Sequence, residues 1–250
     1  TDGGLGWYVT CTTDNTSRVM CITFKDSVYG FGVCHGGKIV RTIDGGMNWV
    51  NVDSLNNRNF FKIIYVTPQK LFLVGGTPTS DTSTIMKSDD GGNSWSIIYN
   101  QPGSRLKAIS FIDTLKGFAT GENSEILSTT DGGINWVSVA SPVTGRSFNG
   151  VVFVGADTGY IIGGVRDSAR TLLKTINGGN SWSIIKDEIG GAYNDIAFYK
   201  QTLGYIVGEN ATVLKTTDGG LNWTAEIPDA TDALQRINTV AIYNEHMAVI

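Results

Sequence analysis

Six tryptophans stand at positions 7, 49, 95, 136, 182 and 223, separated by 42, 46, 41, 46 and 41 residues. Self-similarity at this period marks a chain built from copies of one supersecondary unit that cannot bury its faces without neighbours. The segments leading into the tryptophans are copies as well: TIDGGMNW from Thr42, SDDGGNSW from Ser88, TTDGGINW from Thr129, TINGGNSW from Thr175 and TTDGGLNW from Thr216, with TDGGLGW opening the chain. Between them each unit repeats two apolar runs around a polar turn, as in AISFIDTLKGFATGEN from Ala108 and IAFYKQTLGYIVGEN from Ile196. A short third run enters the Asp-Gly-Gly turn and a fourth follows Trp, so every unit supplies four strands. The pattern predicts an all-β chain, a β-propeller of four-stranded antiparallel blades, without long helices.

Composition agrees. Thirty-two glycines against five prolines suit many tight turns, and 41% hydrophobic residues supply a core. A net charge of −4 argues against nucleic-acid binding, because a phosphate-tracking surface carries an excess of Lys and Arg. No apolar run is long enough to span a bilayer, so no membrane insertion is expected. Three cysteines, Cys11, Cys21 and Cys34, are an odd number crowded into the first repeat and form neither a disulfide framework nor a metal-binding spacing, even with His35 adjacent. No metal or other cofactor is predicted.

A second period overlies the first. Trp49 to Trp136, Trp95 to Trp182 and Trp136 to Trp223 are each 87 residues. Blades therefore alternate in type, which points to duplication of a two-blade unit and to an even number, six, with membership of a seven- or eight-bladed propeller as the alternative. Residues 1–250 read as one propeller domain, in which the N-terminal box with Asp2 and Trp7 completes a last blade begun by residues 236–250. Closure of this kind removes open sheet edges.

The Thr-x-Asp-Gly-Gly-x-x-Trp segments resemble the Asp box of sialidase-like propellers, which forms the turn between the third and fourth strands of a blade. Asp2, Asp44, Asp90, Asp131 and Asp218, with Asn177 in one copy, are predicted to accept hydrogen bonds from turn amides. Trp7, Trp49, Trp95, Trp136, Trp182 and Trp223 are predicted to pack beneath the hairpins. The fuller pattern, with Gly after the second strand, resembles the photosystem II stability/assembly factor family over essentially the whole chain. That resemblance implies a non-catalytic protein that binds partner polypeptides during assembly of a larger complex. It also implies an exported chain, periplasmic or extracellular.

Arginine gives the sharpest candidate site. Arg18, Arg58, Arg105, Arg146 and Arg236 recur just ahead of the first strand in five of six blades, and the sixth has Gly191 or Ala192 there. First strands lie innermost in a propeller, so these guanidiniums are expected around one mouth of the channel, opposite the Asp boxes, with Glu122 and Glu209 of the GEN segments on the same side. Planar guanidinium forks suit carboxylates, which favours a protein or peptide partner, acidic in character. The competing structural reading has each Arg capping its own loop. A carbohydrate-binding or weakly active sialidase-like glycoside hydrolase is the alternative function. Arg236-Ile237-Asn238 is only an echo of the sialidase Arg-Ile-Pro segment, and no catalytic set can be assigned, so the chain reads as a scaffold and not an enzyme.

Overall fold

The computed structural model describes residues 18–55, 57–77, 82–166, 168–226, 236–244 and 247–249, and Asp2 and Trp7, with the expected closing strand, lie outside them. The described residues hold five four-stranded antiparallel sheets, each a simple meander. The first is β1 (Val19–Phe24), β2 (Gly30–Cys34), β3 (Lys38–Thr42) and β4 (Val50–Ser54). The second is β5 (Asn59–Tyr65), β6 (Leu71–Thr77), β7 (Thr82–Ser88) and β8 (Ser96–Pro102). The third is β9 (Leu106–Phe111), β10 (Gly117–Gly121), β11 (Ile126–Thr129) and β12 (Val137–Ser138). The fourth is β13 (Ser147–Phe153), β14 (Gly159–Val165), β15 (Ala169–Thr175) and β16 (Ser183–Ile189). The fifth is β17 (Tyr193–Tyr199), β18 (Leu203–Gly208), β19 (Val213–Thr216) and β20 (Thr224–Glu226), and a hairpin of β21 (Ala241–Asn244) and β22 (Met247–Val249) follows. Helical structure among the described residues is confined to the 3-10 turns His35–Gly37 and Glu122–Ser124.

The chain divides into two compact units, one ending at Gly103 with blades 1 and 2, the other starting at Ser104 with blades 3 to 5 and the hairpin. Within each unit the first strands of successive blades adjoin: β1 with β5, and β9 with β13, β13 with β17, β17 with β21. First strands are therefore innermost and fourth strands outermost, as the sequence predicts.

Each Asp box among the described residues closes the turn between third and fourth strands by local bonds. In blade 3 the Thr129 hydroxyl accepts the Gly133 N–H at 2.9 Å and donates to Asp131 Oδ1 at 2.8 Å. Asp131 Oδ1 also accepts the Asn135 N–H at 2.9 Å, and Oδ2 the Asn135 amide at 2.8 Å. Asp44 and Asp218 repeat the set with Asn48 and Asn222, and Asp90 repeats it with Ser94. In the variant box, Asn177 Oδ1 accepts from Thr175 and from the Ser181 N–H, while Nδ2 donates to Ser181 Oγ at 2.9 Å. Asn thus keeps both acceptor bonds and reverses the third. Both glycines of this box have positive φ, 66° and 82°, a region that side-chain-bearing residues avoid. The first of them donates its N–H to the hairpin turn of its own blade, Gly178 to Asp157 O at 2.9 Å and Gly132 to Leu115 O at 2.8 Å.

The second glycine serves the neighbouring blade. Phe118 of β10 lies beneath Gly179 of blade 4, where a Cβ would fall on the ring, and it stacks on Phe153 at 4.9 Å and meets Trp182 edge-on at 6.1 Å. Tyr160 of β14 repeats the arrangement under Gly220, with Phe198 at 5.5 Å and Trp223 at 6.2 Å, and its hydroxyl donates to Gly219 O at 2.6 Å. In the other unit Phe31 occupies the same place under Gly92, beside Tyr65 and Trp95. Offset and edge-on aromatic triads of this kind add to their area burial. Trp95, Trp182 and Trp223 therefore pack in the seam between two blades.

Gly179→Ala should cost about 1–3 kcal/mol in urea unfolding, from an overpacked ring and a strained backbone. The box carboxyls supply a pH signature. Donors converging on them, chiefly the backbone N–H groups of Asn135 and Asn222, hold Asp131 and Asp218 at about 2 against an ordinary 3.8. A depressed folded-state value contributes stability that is present above the unfolded value and is lost as pH falls from about 4 through about 2. Asp131→Asn should therefore flatten the acid limb of melting temperature against pH in that window, and an unchanged limb would show the carboxylate is not linked to folding.

Candidate functional site

The meander places the start of each first strand and the link between second and third strands at one end of a blade, opposite the box. In blades 3 and 5 that link is the tight GEN turn, with left-handed Asn123 and Ser124 (φ 52° and 63°) and Asn210 and Ala211 (56° and 52°). The turn ties the blade starts together. Glu122 N–H donates to Arg105 O at 3.1 Å, Ser124 N–H to Arg146 O at 2.6 Å, and Arg146 N–H to Ser124 Oγ at 3.0 Å. In blade 5, Glu209 N–H donates to Ala192 O at 3.0 Å.

From these anchored positions the guanidiniums go to different partners. Arg105 grips Glu122 with two bonds, 3.0 and 2.8 Å, and Lys107 Nζ lies 3.3 Å from the same carboxylate. Arg146 reaches outward across its own blade to Asp187 on β16, with two bonds of 2.9 Å, and Thr171 on β15 donates to Asp187 at 2.8 Å. Hydrogen bonding from Arg146 holds the Asp187 carboxyl below the usual range. Arg58, in the other unit, spans its blade in the same way to Thr84 at 3.1 Å and Asn100 at 3.2 Å. Arg18 is exposed, and its carbonyl accepts the His35 N–H at 2.9 Å.

Blade 5 lacks the arginine at Ala192, and the backbone takes its role: Ala192 N–H donates to Glu209 Oε2 at 3.0 Å. Glu209 is only 5% exposed, and its Oε1 faces two guanidiniums, Arg166 at 3.7 Å and Arg236 at 4.0 Å. Those two side chains are 75% and 50% exposed, so each turns much of its fork to solvent. Arg236 also donates to Asn194 Oδ1 at 3.4 Å.

The structure thus brings Arg105 to Glu122 and Arg236 to Glu209, and it spreads Arg58 and Arg146 along their blades. Sequence reasoning missed Lys107, Arg166 and the partners of the spanning arginines. The two-blade period carried a signal for the latter, since Thr84 and Thr171, like Asn100 and Asp187, are 87 residues apart. Among the described residues no group of three or more His, Cys, Asp or Glu is placed to hold a metal. Each carboxyl with a resolved shift lies below its ordinary value. Phe60, Phe148 and Tyr193 near the blade starts are core residues, and burial pushes Tyr193 up to about 12, so its phenol stays neutral. What the exposed part of this end can do chemically is present guanidinium forks to an anionic group.

The chain is similar in sequence and in fold to known proteins. The chain is 33% identical over 152 residues to a photosystem II assembly lipoprotein Ycf48 of Nostoc sp., covering 58% of this chain and 43% of that protein. It is 27% identical over 161 residues to the chloroplastic photosystem II stability/assembly factor HCF136 of Arabidopsis thaliana, covering 59% and 38%. The chain spans between 33% and 50% of the length of the curated relatives it matches. Among solved structures, a YCF48 bound to a D1 peptide superposes with a TM-score of 0.51 at 15% identity, covering 93% of this chain and 89% of that one. An ancestral GH74 enzyme superposes with 0.69 at 17% identity, covering 90% and 33%. Both likenesses show the β-propeller fold. The family model described as photosynthesis system II assembly factor YCF48 matches residues 100–190 and 184–250, more than half of the sequence, and the chain belongs to that family.

Proposed function

We propose that the chain is a non-enzymatic scaffold that binds a protein or peptide partner, acidic in character, at the arginine-bearing end of its blades. The observation that carries the reading is the pairing of two cations with one carboxylate at two equivalent positions, Arg105 and Lys107 on Glu122, Arg166 and Arg236 on Glu209. At the second position the Glu209 side chain is 5% exposed while those of Arg166 and Arg236 are 75% and 50% exposed, so the cations stand nearer to solvent than the carboxylate they share and meet an incoming anion first. The relatives lend support: those named above are assembly factors, and one YCF48 has been solved with a D1 peptide. Residence outside the cytoplasm accords with relatives named as a lipoprotein and as chloroplastic.

Two classes of arginine then behave differently. Arg166→Ala with Arg236→Ala should weaken binding of an Asp- and Glu-rich peptide about tenfold or more and lessen its salt dependence, and, because both guanidiniums also face the buried Glu209, should lower the melting temperature, so binding is measured well below the unfolding transition of the double variant. Affinity unchanged in this double variant would refute the site, and specific binding or hydrolysis in a glycan array and glycosidase screen would favour the carbohydrate alternative. Arg146→Ala should instead lower stability by about 1–3 kcal/mol, because it leaves Asp187 without its charged partner. Asp187→Asn, which copies the Arg58 and Asn100 pair of blade 2, should cost less than about 1 kcal/mol by the same measure.

A further inference from the structure

Asn177 is followed by Gly178, and it stands where the other described boxes have Asp. Asn-Gly is the dipeptide most open to spontaneous deamidation, because glycine offers no side chain to hinder its own amide nitrogen. We propose that Asn177 is a modification site, closed in the folded blade and opened when the blade unfolds, that marks a chain by its folding history.

The chemistry needs only the chain and water. The Gly178 nitrogen attacks Asn177 Cγ, the new C–N bond forms, the Cγ–Nδ2 bond breaks, and the Gly178 proton leaves with that amide as ammonia. Water then opens the resulting five-membered imide at either carbonyl, giving aspartate or isoaspartate. No oxidant or reductant takes part.

In the folded blade both reacting groups are held apart by bonds already described. Gly178 N–H is committed to Asp157 O at 2.9 Å. The Asn177 carboxamide is fixed at both ends, Oδ1 accepting from the Thr175 hydroxyl at 2.9 Å and the Ser181 N–H at 3.0 Å, Nδ2 donating to Ser181 Oγ at 2.9 Å. Attack requires the turn to release all four bonds, so only the locally opened fraction reacts.

The two products have opposite fates. Aspartate restores the acceptor that Asp44, Asp90, Asp131 and Asp218 supply, and the Ser181 hydroxyl can turn to donate to it as Ser94 donates to Asp90 at 2.6 Å. A positive charge is at hand, since Lys116 Nζ lies 2.8 Å from where a Cβ on Gly178 would stand. Isoaspartate inserts an extra methylene into the main chain between residue 177 and Gly178. The turn whose two glycines sit at φ 66° and 82° cannot then keep its register, and Gly179 leaves its place over Phe118. A blade that has opened long enough to react refolds only if it draws the aspartate product.

The test is peptide mapping by mass spectrometry, resolving asparagine, aspartate and isoaspartate at position 177, on the folded protein and on protein held in urea, both in mildly alkaline buffer. Deamidation should be at least about a hundredfold slower in the folded chain, following the small open population. After removal of urea, the refolded fraction should contain the aspartate product and exclude isoaspartate. The variant Asn177→Asp should fold with a melting temperature no lower than that of the parent. Equal rates in folded and unfolded protein would overturn the proposal, and so would recovery of isoaspartate in the refolded fraction or failure of Asn177→Asp to fold.

Discussion

The contact on which the described blades depend is the seating of one blade's second-strand aromatic under the second glycine of the next blade's Asp box. Phe118 beneath Gly179 and Tyr160 beneath Gly220 join blades 3, 4 and 5, and Phe31 beneath Gly92 joins blades 1 and 2. Each seam needs three things at once: a glycine with positive φ and no Cβ, a box closed by its own carboxylate or carboxamide, and a tryptophan against the same ring. The box is a local turn by its hydrogen bonds and an interblade device by its packing. This dual duty explains why the whole segment from Thr to Trp repeats, where a hairpin alone would need only its turn residues.

The same economy operates at the opposite end. In blade 3 the GEN turn ties the start of that blade to the start of the next by main-chain bonds from Glu122 and Ser124, so Arg105 and Arg146 are held at fixed roots. Arg146 and Arg58 span their blades to the outermost strand and act as cross-ties, whereas Arg166 and Arg236 remain largely solvent-facing around the buried Glu209.

Much of this was legible in the residues. The tryptophan period, the Asp-Gly-Gly turns and the apolar runs identified the strands of all five described blades, because box closure is a short-range matter in which Thr129, Asp131 and Asn135 meet within six residues. The 87-residue alternation also held, since the long strands β7, β8, β15 and β16 belong to blades of one type and the short ones to the other.

Sequence by itself therefore determined the repeat, the four-strand blade, the positive-φ turns and the end of each blade at which the arginines stand, all consequences of local geometry and alternation. Only the tertiary structure decided where the guanidiniums go. Arg105 finds Glu122 17 residues away, Arg146 finds Asp187 41 residues away, and Arg166, which has no counterpart in the repeat, meets Glu209 through the packing of blade 4 on blade 5. A long flexible side chain takes its direction from whichever partner the folded neighbours place within reach, and a repeat pattern fixes its root but not that partner.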